Sequence, residues 1–188
     1  MDAGVSHESL CWAAAFHEAG HAVVALASGK WEVHFVILHV RSSRTDFSVA
    51  GYTETMFASE GTLEEMLAAY GSPEMLRERA VQLLAGPAAE WIARRDPASV
   101  EDMERGGEGD DKRAVKLAYQ AVGADGCLAY FHSCNDDAHR LVRAHWWACC
   151  AVAEHLLNHP NEQMPGTLVA QFMSERPAGT TGGTEGDA

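Results

Sequence analysis

Basic residues are scarce in this chain: 14 Lys and Arg stand against 27 Asp and Glu in 188 residues, a formal net charge of −13. That balance repels phosphate backbones and anionic lipid headgroups, so neither nucleic acid nor a membrane surface is an expected partner. A clean apolar run is missing as well. The stretch from Cys11 to Ala27 is interrupted by His17, Glu18 and His21, and falls short of the roughly 20 apolar residues that span a bilayer. Asp2 and Glu8 stand where a secretory signal would carry basic residues, so the cytoplasm is the expected location. The five cysteines, Cys11, Cys127, Cys134, Cys149 and Cys150, are odd in number. They also lack the spacing of about two to four residues found in thiolate zinc sites. Reduced core thiols are expected. There is no Gly-Lys-Ser/Thr phosphate-binding loop and no internal repeat.

What the chain does contain is 47% hydrophobic residues, enough for one domain with a genuine core. Residues 9–28 are Ala-rich and apolar nearly all round, as in a buried helix, and Ser28-Gly29 supplies its stop. Trp31 to Val40 reads as a strand, with Ala50 to Thr55 returning beside it after a polar loop at Arg41 to Ser48. Thr62 and Glu65 form a capping-box pattern for a short helix, and Ser72-Pro73 opens another over Met75 to Arg95. Gly86-Pro87 is expected to kink or divide that helix. Asp96 to Gly109 reads as a loop, Asp110 to Val122 as a helix, Asp136 to Asn158 as a long helix ended by Pro160, and Leu168 to Met173 as a last short one. The expected architecture is mainly α: a single helical domain over residues 1–174 with a small sheet packed near the first helix. Residues 175–188, rich in Gly and Thr, are expected to be a disordered tail.

His17-Glu18-Ala19-Gly20-His21 is an H-E-x-x-H motif. On a helix its histidines lie one turn apart on one face, placed to hold one metal ion, with Glu18 beside the metal as general base. Neutral imidazoles suit Zn²⁺, and an open coordination position allows a water to be acidified. Burying two imidazoles and a carboxylate in an apolar helix is costly unless a metal or a polar network satisfies them. A third ligand must come from elsewhere. Asp110, at an expected helix start, and Glu90, in the apolar run LLAGPAAEWIA, are both candidates. The first can equally serve as a helix N-cap and the second as part of a wet helix face.

With these residues in view, AAFHEAGHAVVAL resembles the zinc helix of the peptidase domain of the FtsH family (peptidase family M41). VHFVILHV followed by GYTET, AVQLLAGPAAEWIA, GEGDDKRAVKLA and AEHLLNHPNEQMPGTLVAQF are similar to further segments of that domain, over residues 12–173. The resemblance implies a zinc metallopeptidase with His17, His21 and Asp110 as ligands and Glu18 as catalytic base. It places Glu90 as a carboxylate that orients a ligand histidine. Residues 41–48, Pro87 and the length of 96–109 depart from the family pattern. The family's AAA+ ATPase domain has no counterpart in the 16 residues before His17. A peptidase without its own motor is expected, acting on unfolded proteins or peptides or on a protein delivered by a separate ATPase. A zinc-containing adaptor without turnover and a small-amide hydrolase are the rival readings; oligomeric state and cleavage preference stay open.

The remaining histidines carry weaker signals. His34 and His39 differ in parity along their strand and are expected on opposite faces, whereas His132, His139, His145, His155 and His159 lie in polar or helical surroundings. Trp146-Trp147 reads as a core or interface anchor.

Overall fold

The Ser6 hydroxyl accepts the Ser9 backbone N–H at 3.1 Å and so caps the first helix, α1, which runs His7–Ala27. This is a computed structural model that describes residues 6–43, 47–57, 71–94 and 100–175, with backbone alone over 100–108. The Thr62–Glu65 helix and all of the expected tail except Glu175 lie outside the described residues.

Strand β1 (Trp31–Ser42) pairs antiparallel with β2 (Phe47–Phe57) on one side and with β3 (Met164–Pro165) on the other, giving the order β2-β1-β3. Helix α2 is Pro73–Ala93, with Ser72 as its cap. Helix α3 spans Val100–Ala144, α4 is Trp146–Asn158 and α5 is Gly166–Ser174. The described residues are thus mainly helical with a small sheet.

Small side chains set the packing. Ala15, Ala19, Ala22 and Ala25 of α1 are fully buried, and α1 touches both long strands, α2, α3 and α4. At Gly20 a methyl group would lie 2.3 Å from the Ala85 carbonyl oxygen and 2.7 Å from Ala89 Cβ. Only glycine lets α1 and α2 approach this closely, and that approach brings the motif histidines onto α2.

Several expected boundaries shift. Both long strands extend into residues 41–48, so the polar loop is shorter than expected. Residues 100–109, expected as part of a loop, are helical, and Asp110 therefore sits within α3 and not at its start. Glu, Met and Arg in this segment favour helix strongly enough to offset Gly106, Gly107 and Gly109. Helix α2 continues through Pro87. Residues 80–86 and 88–90 are buried against neighbouring elements, which outweighs the roughly 3 kcal/mol that an internal proline costs.

Helix α3 is two limbs. Gly123 has φ 72° and ψ −174°, and Cys127 Sγ lies 3.6 Å from the Val115 carbonyl oxygen. A straight helix would separate these residues by ~18 Å, so the chain folds back at Gly123, where glycine alone takes that backbone without strain. The helix expected over Asp136–Asn158 is broken at His145, which leaves helical dihedrals. The break turns the apolar α4 onto α1, where Phe16 stacks on Trp146 with ring centroids 5.3 Å apart.

All five cysteines are free; Cys134 and Cys149 are buried as expected, whereas Cys11, Cys127 and Cys150 are only half-buried. A bulge between Val33 and Phe35 interrupts the alternation of β1, so His34 and His39 are both exposed and the parity expectation does not hold. By length and mean hydropathy α1 is apolar enough to cross a membrane, contrary to the reading of an interrupted run, and 56% of that window is buried within the fold.

Candidate metal centre

Three elements converge on one point: α1 carries His17, Glu18 and His21, α2 carries Glu90, and the first limb of α3 carries Asp110. His17 Nε2 and His21 Nε2 are 3.0 Å apart. Asp110 Oδ2 lies 3.1 Å from the first and 3.3 Å from the second. Among the described residues this is the group of His, Cys, Asp and Glu side chains able to hold a metal ion.

The outer nitrogens fix what the inner ones present. His21 Nδ1 is 2.8 Å from the Gln82 carbonyl oxygen, which can only accept, so Nδ1 carries the proton. His17 Nδ1 donates likewise to Glu90 Oε2 at 3.3 Å, and the other Glu90 oxygen pairs with Arg94. In the neutral imidazoles both Nε2 lone pairs therefore face the Asp110 carboxylate. Three acceptors aimed at one another repel unless a cation stands between them. Ligands about 2.0–2.1 Å from a tetrahedral Zn²⁺ lie roughly 3.3–3.4 Å from each other. The observed separations of 3.0, 3.1 and 3.3 Å come close to that triangle before any ion is added.

The electrostatics record the same demand. Burial alone would push the His17 imidazole down, but its hydrogen bonds to Asp110 and Glu90, with the charges of Glu18 and Glu90, raise its pKa to about 10. Burial would raise Asp110, yet its hydrogen bonds to His17 and His21 hold its carboxyl well below the usual carboxylate range. Without a metal, a proton on His17 supplies the missing positive charge.

Glu18 lies next to this cluster and outside it. Its side chain points to β2, where the Thr53 hydroxyl donates to Glu18 Oε2 at 2.6 Å. A methyl group at Gly51 would sit 2.2 Å from Glu18 Cγ. At Gly86 a methyl would lie 2.5 Å from His21 Nε2 and 2.8 Å from His17 Nε2. Glu90 reaches the far nitrogen of His17 and takes no place among the three converging atoms. Gln82 is buried, and its amide donates to Thr55 Oγ1 at 3.0 Å. The helix residue that holds His21 is thereby tied to β2.

Gly51, Thr53, Gln82, Gly86 and Arg94 are not among the site residues expected from the sequence. The Gly-x-Thr spacing on a strand, which places both residues on one face, was the available signal for the first two. A separate cavity of about 560 Å³, lined by Trp91, Asn135, Asp136, His139, Arg140 and Arg143, shares no residue with the cluster. No protein-family model matches the chain, and no curated protein matches it either.

Proposed function

We propose that the chain is a zinc-dependent metallopeptidase of the FtsH peptidase type that hydrolyses peptide bonds of unfolded proteins or peptides. The reading is carried by the convergence of His17 Nε2, His21 Nε2 and Asp110 Oδ2, with Glu18 beside them and not among them. His17, His21 and Asp110 would hold the ion, leaving one coordination position open. When bound, Zn²⁺ supplies Lewis acidity and brings a water's pKa towards neutrality.

The chain's own groups do the rest. Glu18, with Oε2 engaged by Thr53, takes the proton from the attacking water and returns it to the departing amine nitrogen. Glu90 fixes the His17 ring and its tautomer through Nδ1, and the Gln82 carbonyl does the same for His21. Arg94 pairs with the second Glu90 oxygen, which gives that buried carboxylate a charged partner on its own helix. Cytoplasmic residence, and delivery of folded substrates by a separate ATPase, belong to the same proposal.

Glu18→Gln decides between an enzyme and a metal-stabilised adaptor. It is expected to keep its zinc and its fold while losing ~10²–10⁴-fold in cleavage of casein relative to the parent. The parent is expected to cleave without ATP and to stop when a zinc chelator is added. A zinc-loaded parent that cleaves no unfolded protein or peptide across a broad library would refute the peptidase reading.

A further inference from the structure

Strand β2 presents Gly51 and Thr53 to Glu18 at a spacing of two residues, on one face of the sheet. The Thr53 hydroxyl lies 2.6 Å from Glu18 Oε2 and 3.2 Å from the Glu18 carbonyl oxygen. A hydroxyl has one proton to donate, and the shorter, charge-assisted contact takes it. At Gly51 there is no side chain at all, and the Glu18 chain occupies the space. A methyl there would lie 2.2 Å from Cγ, 2.4 Å from Oε1 and 2.6 Å from Cδ.

A glutamate has three side-chain torsions, and a base that samples several of them spends only part of its time where proton transfer can happen. The absence of a side chain at Gly51 makes the room that this Glu18 rotamer fills, while the Thr53 bond holds one carboxylate oxygen and leaves Oε1 as the oxygen without that bond. Strand propensity alone does not call for this hydroxyl. Valine matches threonine in shape and favours a strand as well, but cannot donate.

We propose that Gly51 and Thr53 form a cradle on β2 that sets the orientation of Glu18, so that Thr53 is a positioning residue for proton transfer. The inference rests on the peptidase reading for its kinetic consequence, but not for its structural one. The cradle acts on the base without touching the three candidate ligands, so it separates turnover from metal binding.

The test compares zinc-loaded parent, Thr53→Val and Thr53→Ser, with Thr53→Ala replacing the valine variant if that one does not fold. Thr53→Val is expected to bind zinc like the parent, to lose ~10- to 100-fold in kcat on an unstructured peptide, and to keep KM within about twofold. Thr53→Ser restores the hydroxyl and is expected to recover kcat to within about threefold of the parent. Parent-like kcat in Thr53→Val, a serine variant no better than the valine, or a loss confined to KM would each overturn the proposal. Crystal structures of the three proteins give a readout independent of activity. Displacement of the Glu18 carboxylate in Thr53→Val, with the parent position kept in Thr53→Ser, supports the cradle; an unmoved carboxylate in both overturns it. If the parent cleaves nothing, the peptidase reading falls and these structures alone decide the cradle.

Discussion

The Nε2 atoms of His17 and His21 face each other across 3.0 Å, and each ring donates its Nδ1–H to an acceptor on α2. Two lone pairs held this close, with a carboxylate oxygen completing the triangle, make a candidate cation site that is already ordered, so a bound ion would incur little ordering cost. One Zn²⁺ per chain is expected in protein purified without chelator. Zinc at about 100 times its Kd should stabilise the fold by about 2.7 kcal/mol, equivalent to about 5–10 °C in Tm for a domain of this size. Elemental analysis and a thermal scan with and without chelator check this. Equal zinc in a His17→Ala, His21→Ala double variant would place the metal elsewhere.

Gly86 lies against both ring nitrogens, so a single methyl there should expel the metal without substituting any ligand. Gly86→Ala is expected to lower zinc affinity more than about 100-fold, because its methyl would lie 2.5 Å from His21 Nε2 and 2.8 Å from His17 Nε2 and must push the ring tips out of their present arrangement. Alanine is at the same time the better helix former by about 1 kcal/mol, so the metal-free variant should remain folded by circular dichroism. Parent-like zinc affinity in this variant would mean that the two helices separate more readily than their packing implies.

The two carboxylates near His17 should part in their effects. Asp110 converges with the imidazoles, so Asp110→Asn is expected to cost more than about 100-fold in zinc affinity. Glu90 meets only the outer nitrogen of His17, so Glu90→Gln should cost ~10–100-fold. Competition against a chromogenic chelator measures both. A larger loss at Glu90 than at Asp110 would reverse the two roles.

These separations show which parts of the site were legible in the sequence. H-E-x-x-H declares its own geometry, because helical periodicity alone puts His17 and His21 on one face. Asp110 and Glu90 could be named as candidates but not ranked by residue chemistry, since a carboxylate at an expected helix start has an equally good role as a cap. Asp110 in fact lies well inside α3, and it reaches the cluster because of how α3 as a whole packs on α1 and α2, a tertiary fact with no local signature. The reversal at Gly123 was equally hidden: a glycine between helical runs does not announce whether it bends a helix or folds it back. Strand and helix types followed from β-branched and Ala-rich patterning. Where the outcome differed, in a helix not divided at Pro87 and in the helical 100–109, burial or summed propensity outweighed the helix-disfavouring residues.

Removing the metal should leave a pH signature at His17. In the metal-free protein its pKa is raised to about 10 from an ordinary imidazole value of 6.5. A group whose folded value lies above its unfolded one stabilises fully below the unfolded pKa, and that contribution is lost as pH rises through the folded one. The His17 contribution should therefore be complete below about pH 6.5 and gone above about pH 10. Asp110 has the opposite sign: its lowered pKa stabilises above the ordinary carboxylate range, and that stability is lost only on strong acidification. Chelated parent should accordingly lose stability between pH 7 and pH 10 relative to chelated His17→Gln, in which other titrating groups cancel. Denaturant unfolding across that range measures the difference, and nuclear magnetic resonance titration of the His17 ring measures its cause. A ring midpoint at or below 7, or parallel stability profiles for the two proteins, would show that Asp110 and Glu90 do not hold a proton on His17 when the metal is gone.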